Sequence, residues 1–279
     1  GERYFFREAL IEGAPGYPES FLKRYLAFAP GETFSYARLG ETQFNFTNSE
    51  RFREVSVTPL RERAEAHYVP VLVQLKPAPS RSLRQGIGYG TDTGGRINVR
   101  YRDLNMRKSG HEFNANLYLA ERLQGIAAGY VVPDHTDIRS STGVQMNLQR
   151  EDVSAYTSRL AVLQFEKNRS FGSADLGSLY LRLQREDYTV GFQESSARLV
   201  LPGVRYSANR YGNLTRPERG YRFAVDLRGT HRLLGSDTAA LQIIPEGSWI
   251  VPLLWRLSLH TRAAMGLTLL SDPLSDLPP

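Results

Sequence analysis

The chain has 279 residues, 41% of them apolar and 23% charged, with a formal net charge of +6 and no cysteine. The missing cysteines exclude a disulfide framework, a thiolate metal site and a cysteine nucleophile. Lysine occurs only at Lys23, Lys76, Lys108 and Lys167, and the arginines are spread among acids rather than gathered in a run or on one helix face, so nucleic acid is not an expected partner. No segment approaches the roughly 18 consecutive apolar residues of a transmembrane helix. A transmembrane strand needs only about nine to eleven residues, half of them polar, so a membrane barrel stays open. The opening GERYFFREAL lacks the pattern of a signal peptide. The closing Leu277-Pro278-Pro279 does not read as the end of a strand, so the chain is expected to be a piece of a longer one.

Tyr4 to Glu12 is apolar-rich and strand-like, and Gly13 to Gly16 breaks it. Pro18-Glu19 opens a helix, because proline is tolerated in the first turn. Phe21, Leu22, Tyr25 and Leu26 give it an apolar stripe, and Pro30-Gly31 is expected to end it. Ser35 is the expected N-cap of a second helix, with Leu39 and Phe46 on its buried side. Strands follow at Phe52 to Leu60 and Tyr68 to Lys76, and Pro77 and Pro79 close the segment. The order β-α-α-β-β can enclose one small core, with two helices on a three-stranded sheet.

This stretch resembles a POTRA domain, the polypeptide-transport-associated repeat that precedes outer-membrane assembly barrels. Tyr4, Phe6, Glu12-Gly13, Pro30-Gly31, Leu39, Phe52 and Val55 carry the resemblance. Two positions depart from it: Arg7 and Glu50 stand where the pattern commonly has glycine. Residues 1–79 are therefore expected to form a POTRA domain and 80–279 the first part of a barrel. The resemblance implies a domain that works by contact, since a sheet edge can take an added strand from a client. The candidate edge is Phe52 to Leu60, represented by Phe52, Val55 and Val57.

Leu83 to Arg102 reads as a β-hairpin that turns at Thr91-Asp92-Thr93-Gly94-Gly95. Ile97, Val99 and Tyr101 share one face of its second arm, and Arg96, Asn98, Arg100 and Arg102 the other. About eleven strand-like segments follow the same period from Leu83 onward. Leu179, Leu181 and Leu183 alternate with Tyr180, Arg182 and Gln184. Tyr221, Phe223, Val225 and Leu227 alternate with Arg222, Ala224, Asp226 and Arg228. Leu253 to Leu270 is the last segment. Long strands, a polar face rich in Arg, Asn and Gln, and aromatics near strand ends (Trp249 and Trp255 among them) favour a membrane barrel over a soluble sandwich. The apolar face would meet lipid. Arg96, Arg100, Arg182, Arg222, Asp226 and Arg228 would face a wet lumen, with acids such as Glu112, Asp226 and Glu246 as partners of the arginines.

Gly86-Ile87-Gly88-Tyr89, Thr91-Asp92, Gly94, Arg96 and Gly110-His111 are similar to the first strands of the TamA/BamA superfamily barrel. Leu201-Pro202-Gly203-Val204 and Arg219-Gly220-Tyr221 look more like TamA than BamA. The resemblance implies an antiparallel transmembrane β-barrel, here cut at about eleven of sixteen strands, with Ser271 to Pro279 leading to a loop beyond the sequence. It also implies a weakly closed seam at the first strand. The residues that would pair there with a client strand are Leu83, Gln85, Gly86, Ile87, Gly88, Tyr89 and Gly90. Glycine in a strand lets another backbone approach, but these glycines equally suit a barrel wall lined by packed lumen side chains.

The implied partners are the outer-membrane bilayer, unfolded outer-membrane or autotransporter clients and an inner-membrane-anchored protein, with the POTRA domain in the periplasm. The function expected is insertion or secretion of β-rich clients. A two-partner secretion transporter and a passive porin-like channel are the alternatives. No enzyme activity, cofactor or metal is expected: His67, His111, His135, His231 and His260 are scattered without ligand spacing. Gly86-x-Gly88-x-Gly90 precedes no helix, so it is not a dinucleotide fingerprint.

Overall fold

A computed structural model describes residues 3–91, 94–172, 174–211, 218–253 and 257–270. Packing divides the chain into two compact units. The first takes the residues up to Arg84 together with Arg100–Asn114 and Tyr130–Ile138; the second takes Gln85–Val99, Ala115–Gly129 and the residues from Arg139 onward. The first unit thus reaches past the boundary expected at residue 79 and includes pieces of later strands.

The first unit opens with β1 (Phe5–Glu12), α1 (Glu19–Lys23), α2 (Tyr36–Asn48), β2 (Phe52–Pro59) and β3 (Tyr68–Pro77). The sheet order is β1-β3-β2, with β1 parallel and β2 antiparallel to β3. The helices supply the crossover that a parallel pair needs. Val69, Val71, Val73 and Leu75, at alternate positions of the central strand, are buried. Phe6, Phe21, Tyr25, Phe46 and Phe52 complete an aromatic core against them. Phe6 stacks on Phe28 at 4.1 Å between ring centroids.

Helix α1 stops at Lys23, well short of the end expected at Pro30. The amides of Tyr25 and Leu26 bond three residues back, to the carbonyls of Leu22 and Lys23, so the chain tightens instead of continuing the helix. Phe21, Leu22 and Tyr25 are nevertheless buried, as their stripe implies. Ser35 precedes α2 with extended backbone, but its side chain makes no capping bond. The two departures from the glycine pattern have local explanations. The β1–β3 register shifts between Phe6 and Ala9, which places a bulge at Arg7-Glu8. Glu50 has φ +59°, a left-handed conformation that glycine adopts more readily.

The second sheet runs through β4 (Arg81–Gly90), β5 (Gly94–Met106), β6 (His111–Ala120), β7 (Leu123–Pro133), β8 (Ser141–Val153), β9 (Tyr156–Phe171), β10 (Asp175–Val190), β11 (Gln193–Asn209), β12 (Gly220–Thr230), β13 (Ala240–Pro252), β14 (Ser258–Ala264) and β15 (Leu267–Leu270). It has 12 strands, neighbours in space in chain order from β4 to β14, with β15 also on β13. The path is open: β4 and β14 are its two ends and do not pair with each other among the described residues. A closed barrel is therefore not formed by these strands. The segment expected as one strand over Leu253–Leu270 is divided. Pro245 of β13 has no N–H to donate, and only its carbonyl is used, by the Met265 amide. β14 and β15 pair with β13 on either side of that point. Asp92 and Thr93 of the first turn, Trp255 and the Ser271–Pro279 stretch lie outside the described residues.

Exposure along the strands is inverted relative to a soluble sheet. On β10, Leu179 is 62% exposed while its neighbour Tyr180 is 8% exposed. On β12, Val225 and Leu227 are exposed, Ala224 is buried, and Asp226 and Arg228 are half-buried. Strands β9, β10 and β11 reach 16, 16 and 17 residues, far beyond the ~5–6 typical of globular sheets.

Candidate functional site: a free edge strand and a hydrogen-bonded polar face

Among the described residues, β4 ends the sheet and has β5 as its neighbour. Its period of two puts Leu83, Gln85, Ile87 and Tyr89 on the apolar face and Gly86, Gly88 and Gly90 on the other. Ile87 is 88% exposed, and Leu83 and Tyr89 are also exposed. A side chain at Gly86 would meet open space. A Cβ at Gly88 would lie 3.0 Å from Nε of Arg96, so that arginine lies across the glycine. From Gly86 to Gly90 one face of β4 is therefore almost bare of side chains, and a second extended backbone can approach it closely.

The polar face is held by hydrogen bonds between strands. Arg182 Nε donates to Gln164 Oε1 at 2.9 Å, and Arg228 Nε to Gln242 Oε1 at 2.6 Å. Tyr180 on β10 reaches across β11 to donate to Asp226 Oδ1 on β12 at 2.7 Å. Gly203 makes that reach possible: it is paired with Tyr180, and a Cβ there would stand 2.2 Å from the tyrosine ring. Arg205 Nη2 pairs with Glu246 Oε1 at 2.9 Å. Arg222 and Arg262 line a hollow of about 260 Å³ with Glu246 and Ser248. Arg100 is exposed on β5. Of the arginines expected to pair with acids, Arg182 and Arg228 instead bond to amide side chains, because Gln164 and Gln242 stand opposite them in the register.

In the first unit β2 is an edge strand, paired among the described residues with β3 alone. Phe52 is in the core, and Val55 and Val57 pack against it. What these residues can offer a partner is backbone rather than side chain. At the opposite edge, the first half of β1 is covered: Gly31, Glu32 and Phe34 exchange backbone bonds of 2.8 Å with Tyr4 and Phe6.

The same unit contains a cluster that sequence reading missed. Arg51 is 2% exposed. Its guanidinium donates to Tyr25 Oη at 3.2 Å, Leu104 O at 2.9 Å, Gly110 O at 3.0 Å and Glu112 Oε1 at 2.9 Å. It lies over the Phe21 ring, 5.1 Å from its centroid. Burial pushes the Tyr25 hydroxyl pKa up, against the lowering pull of Arg51 and Arg24. Gly110 has φ +75°, and a Cβ there would collide with Phe21 at 2.4 Å. Asn105 Nδ2 donates to Gly16 O at 2.8 Å, and Arg24 Nη2 to Asp137 O at 2.9 Å. The α+β module is thus fastened to the β5–β6 turn by a buried cation. Glu112, expected to pair with an arginine of the sheet's polar face, belongs to this cluster.

The second unit is thus a long antiparallel sheet with an exposed apolar face and a hydrogen-bonded polar face, and an α+β module precedes it in the sequence. No protein-family model matches the sequence. Among solved structures, the chain is similar to BamA from Haemophilus ducreyi lacking POTRA domains 1–3, with TM-score 0.71 and 15% identity over 96% of this chain and 56% of that one. CdiB from Acinetobacter baumannii matches with TM-score 0.59 and 15% identity, over 98% of this chain and 54% of that one. CdiB from Escherichia coli matches with TM-score 0.64 and 13% identity, over 95% and 54%. These likenesses establish the fold, and the chain spans a little over half the length of each of these structures.

Proposed function

We propose that this chain is the POTRA-bearing first part of an outer-membrane barrel that inserts or secretes β-rich client proteins. The observation that carries the reading is the inverted sheet, whose first strand has glycine at every second position from Gly86 to Gly90. Exposed leucines beside sheltered arginines and glutamines suit a sheet with lipid on one face and water on the other. A glycine-rich first strand lets a second extended backbone approach closely and can pair with it. The client's terminal strand would pair along Leu83–Gly90 through backbone hydrogen bonds, without nucleotide or cofactor. The POTRA-like module would stand in the periplasm and offer the β2 edge to unfolded clients such as autotransporters, alongside an inner-membrane-anchored partner.

The likeness to CdiB favours a second reading, a two-partner secretion transporter, in which the client threads the pore instead of leaving through the seam. A passive channel has no use for a client-binding module. Single-cysteine labelling tests the membrane facing on which these readings depend. A lipid-soluble thiol reagent is expected to modify Val225→Cys and spare Asp226→Cys; the reverse pattern would contradict the assignment of faces.

A further inference from the structure

Arg96 of β5 lies across Gly88 of β4, and its side chain makes no hydrogen bond or ion pair among the described residues. The polar groups next to it are already engaged. Asn98, two residues on, donates from Nδ2 to Asn116 Oδ1 at 3.0 Å, and Gly95, the residue before, donates its amide to Glu121 Oε1 at 3.0 Å. A Cβ at Gly88 would lie 3.0 Å from Arg96 Nε, 3.6 Å from Cγ and 3.8 Å from Nη2. Nε and Nη2 form one edge of the guanidinium, the edge that takes both oxygens of a carboxylate in parallel bonds. That edge is turned over a position where β4 has no side chain. At Gly86, the next position on the same face, a Cβ would meet open space.

The same arrangement is complete elsewhere in the sheet. Tyr180 on β10 lies over Gly203 on β11 and ends on the Asp226 carboxylate of β12 at 2.7 Å. Asp226 stands opposite Arg205, one position along the face from the residue opposite Gly203. A long side chain, a glycine and a carboxylate thus occupy three successive strands. At β5 and β4 the long side chain and the glycine are in place, and a carboxylate is what a strand paired with β4 would add. An amide would use only part of the exposed fork, a cation would be repelled, and an aromatic ring would need the flat face of the guanidinium rather than its edge.

We propose that Arg96 is a specificity-determining residue for the client strand: it binds an Asp or Glu carboxylate on the polar face of the strand that pairs with β4, opposite Gly88 or one position along that face. The proposal deepens the strand-pairing reading and rests on it. Clients whose terminal strand carries such an acid are preferred over those with an amide or a cation there.

The test uses the full-length protein in lipid nanodiscs and three synthetic strand peptides of about ten residues that alternate valine and threonine. One central threonine is replaced by Glu, Gln or Arg, and a terminal cysteine allows disulfide trapping by single cysteines along Leu83–Gly90. The Glu peptide is expected to trap about fivefold better than the Gln peptide, the upper range for an exposed ion pair, and the Arg peptide should trap least. Arg96→Gln should abolish the preference. Arg96→Lys should keep part of it, because an ammonium has no fork. Arg96→Glu should reverse it in favour of the Arg peptide. Arg96 is exposed, so these variants are expected to keep the fold. Equal trapping of the three peptides by the parent, or an unchanged preference in Arg96→Gln, would overturn the proposal and leave strand pairing at β4 intact. So would a lower melting temperature of Arg96→Gln without peptide, combined with no peptide preference in the parent, since the carboxylate would then belong to another strand of the protein itself. If no peptide is trapped anywhere along Leu83–Gly90, the pairing reading fails and this proposal falls with it.

Discussion

Arg51 is the residue on which the first unit most depends. Its guanidinium satisfies two backbone carbonyls, a tyrosine hydroxyl and a carboxylate from a position 2% exposed. Removing it strands Glu112 and the carbonyls of Leu104 and Gly110. Arg51→Met is expected to destabilise the first unit by about 3 kcal/mol, as breaking a buried charged cluster does. Amide hydrogen exchange should quicken at residues 104–112, and Arg51→Lys should recover only part of the protection, because an ammonium cannot span the same acceptors. Unchanged exchange in both variants would remove Arg51 from this role. Nothing in the sequence marked it. It sits one residue before β2 beside Glu50, where the pattern of apolar residues says only that a strand begins, and its partners Leu104, Gly110 and Glu112 lie more than 50 positions away. Glu50 was visible as a departure from a glycine pattern; the reason, its φ of +59°, needed the backbone.

At the scale of elements, the strands were legible because period-two alternation is a local signal, and β8, β10 and β12 follow it along most of their length. Helix α1 was overextended because its apolar stripe continues after the hydrogen bonding has changed. The contact between Tyr180 and Gly203 was out of reach, since register across two hairpins decides which residues face each other. Gly203→Ala should cost about 2 kcal/mol by driving a methyl group into the tyrosine ring. Tyr180→Ala in the same chain should make the pair of substitutions cost less than their sum in a double-mutant cycle; strict additivity would mean the contact is not formed. The glycines of β4 left two roles open, and the structure sharpens the choice. A Cβ at Gly88 meets only the flexible end of Arg96, which can move aside. Gly88→Val is therefore expected to change folding stability by less than about 1 kcal/mol while reducing client insertion severalfold. Equal loss of both would assign the glycine to the barrel wall instead.

For the whole molecule, composition and alternation announced a long antiparallel sheet behind a β-α-α-β-β module, and the structure carries both. The packing of Arg100–Asn114 and Tyr130–Ile138 with the module was not legible. Those stretches look like ordinary strand ends in the sequence, and the contacts of Arg51, Asn105 and Gly110 with the module, together with the Arg24–Asp137 bond, are formed only in the fold. The central claim is that β4 receives a client strand. It is tested most directly by disulfide trapping in cells, with single cysteines along Leu83–Gly90 and along the terminal strand of an autotransporter client. The account predicts crosslinks at alternate positions, in one fixed register, that appear during insertion and vanish when it is complete. Crosslinks confined to the polar face, at positions such as Arg182 and Arg228, with none along β4, would contradict it and point to passage through the pore.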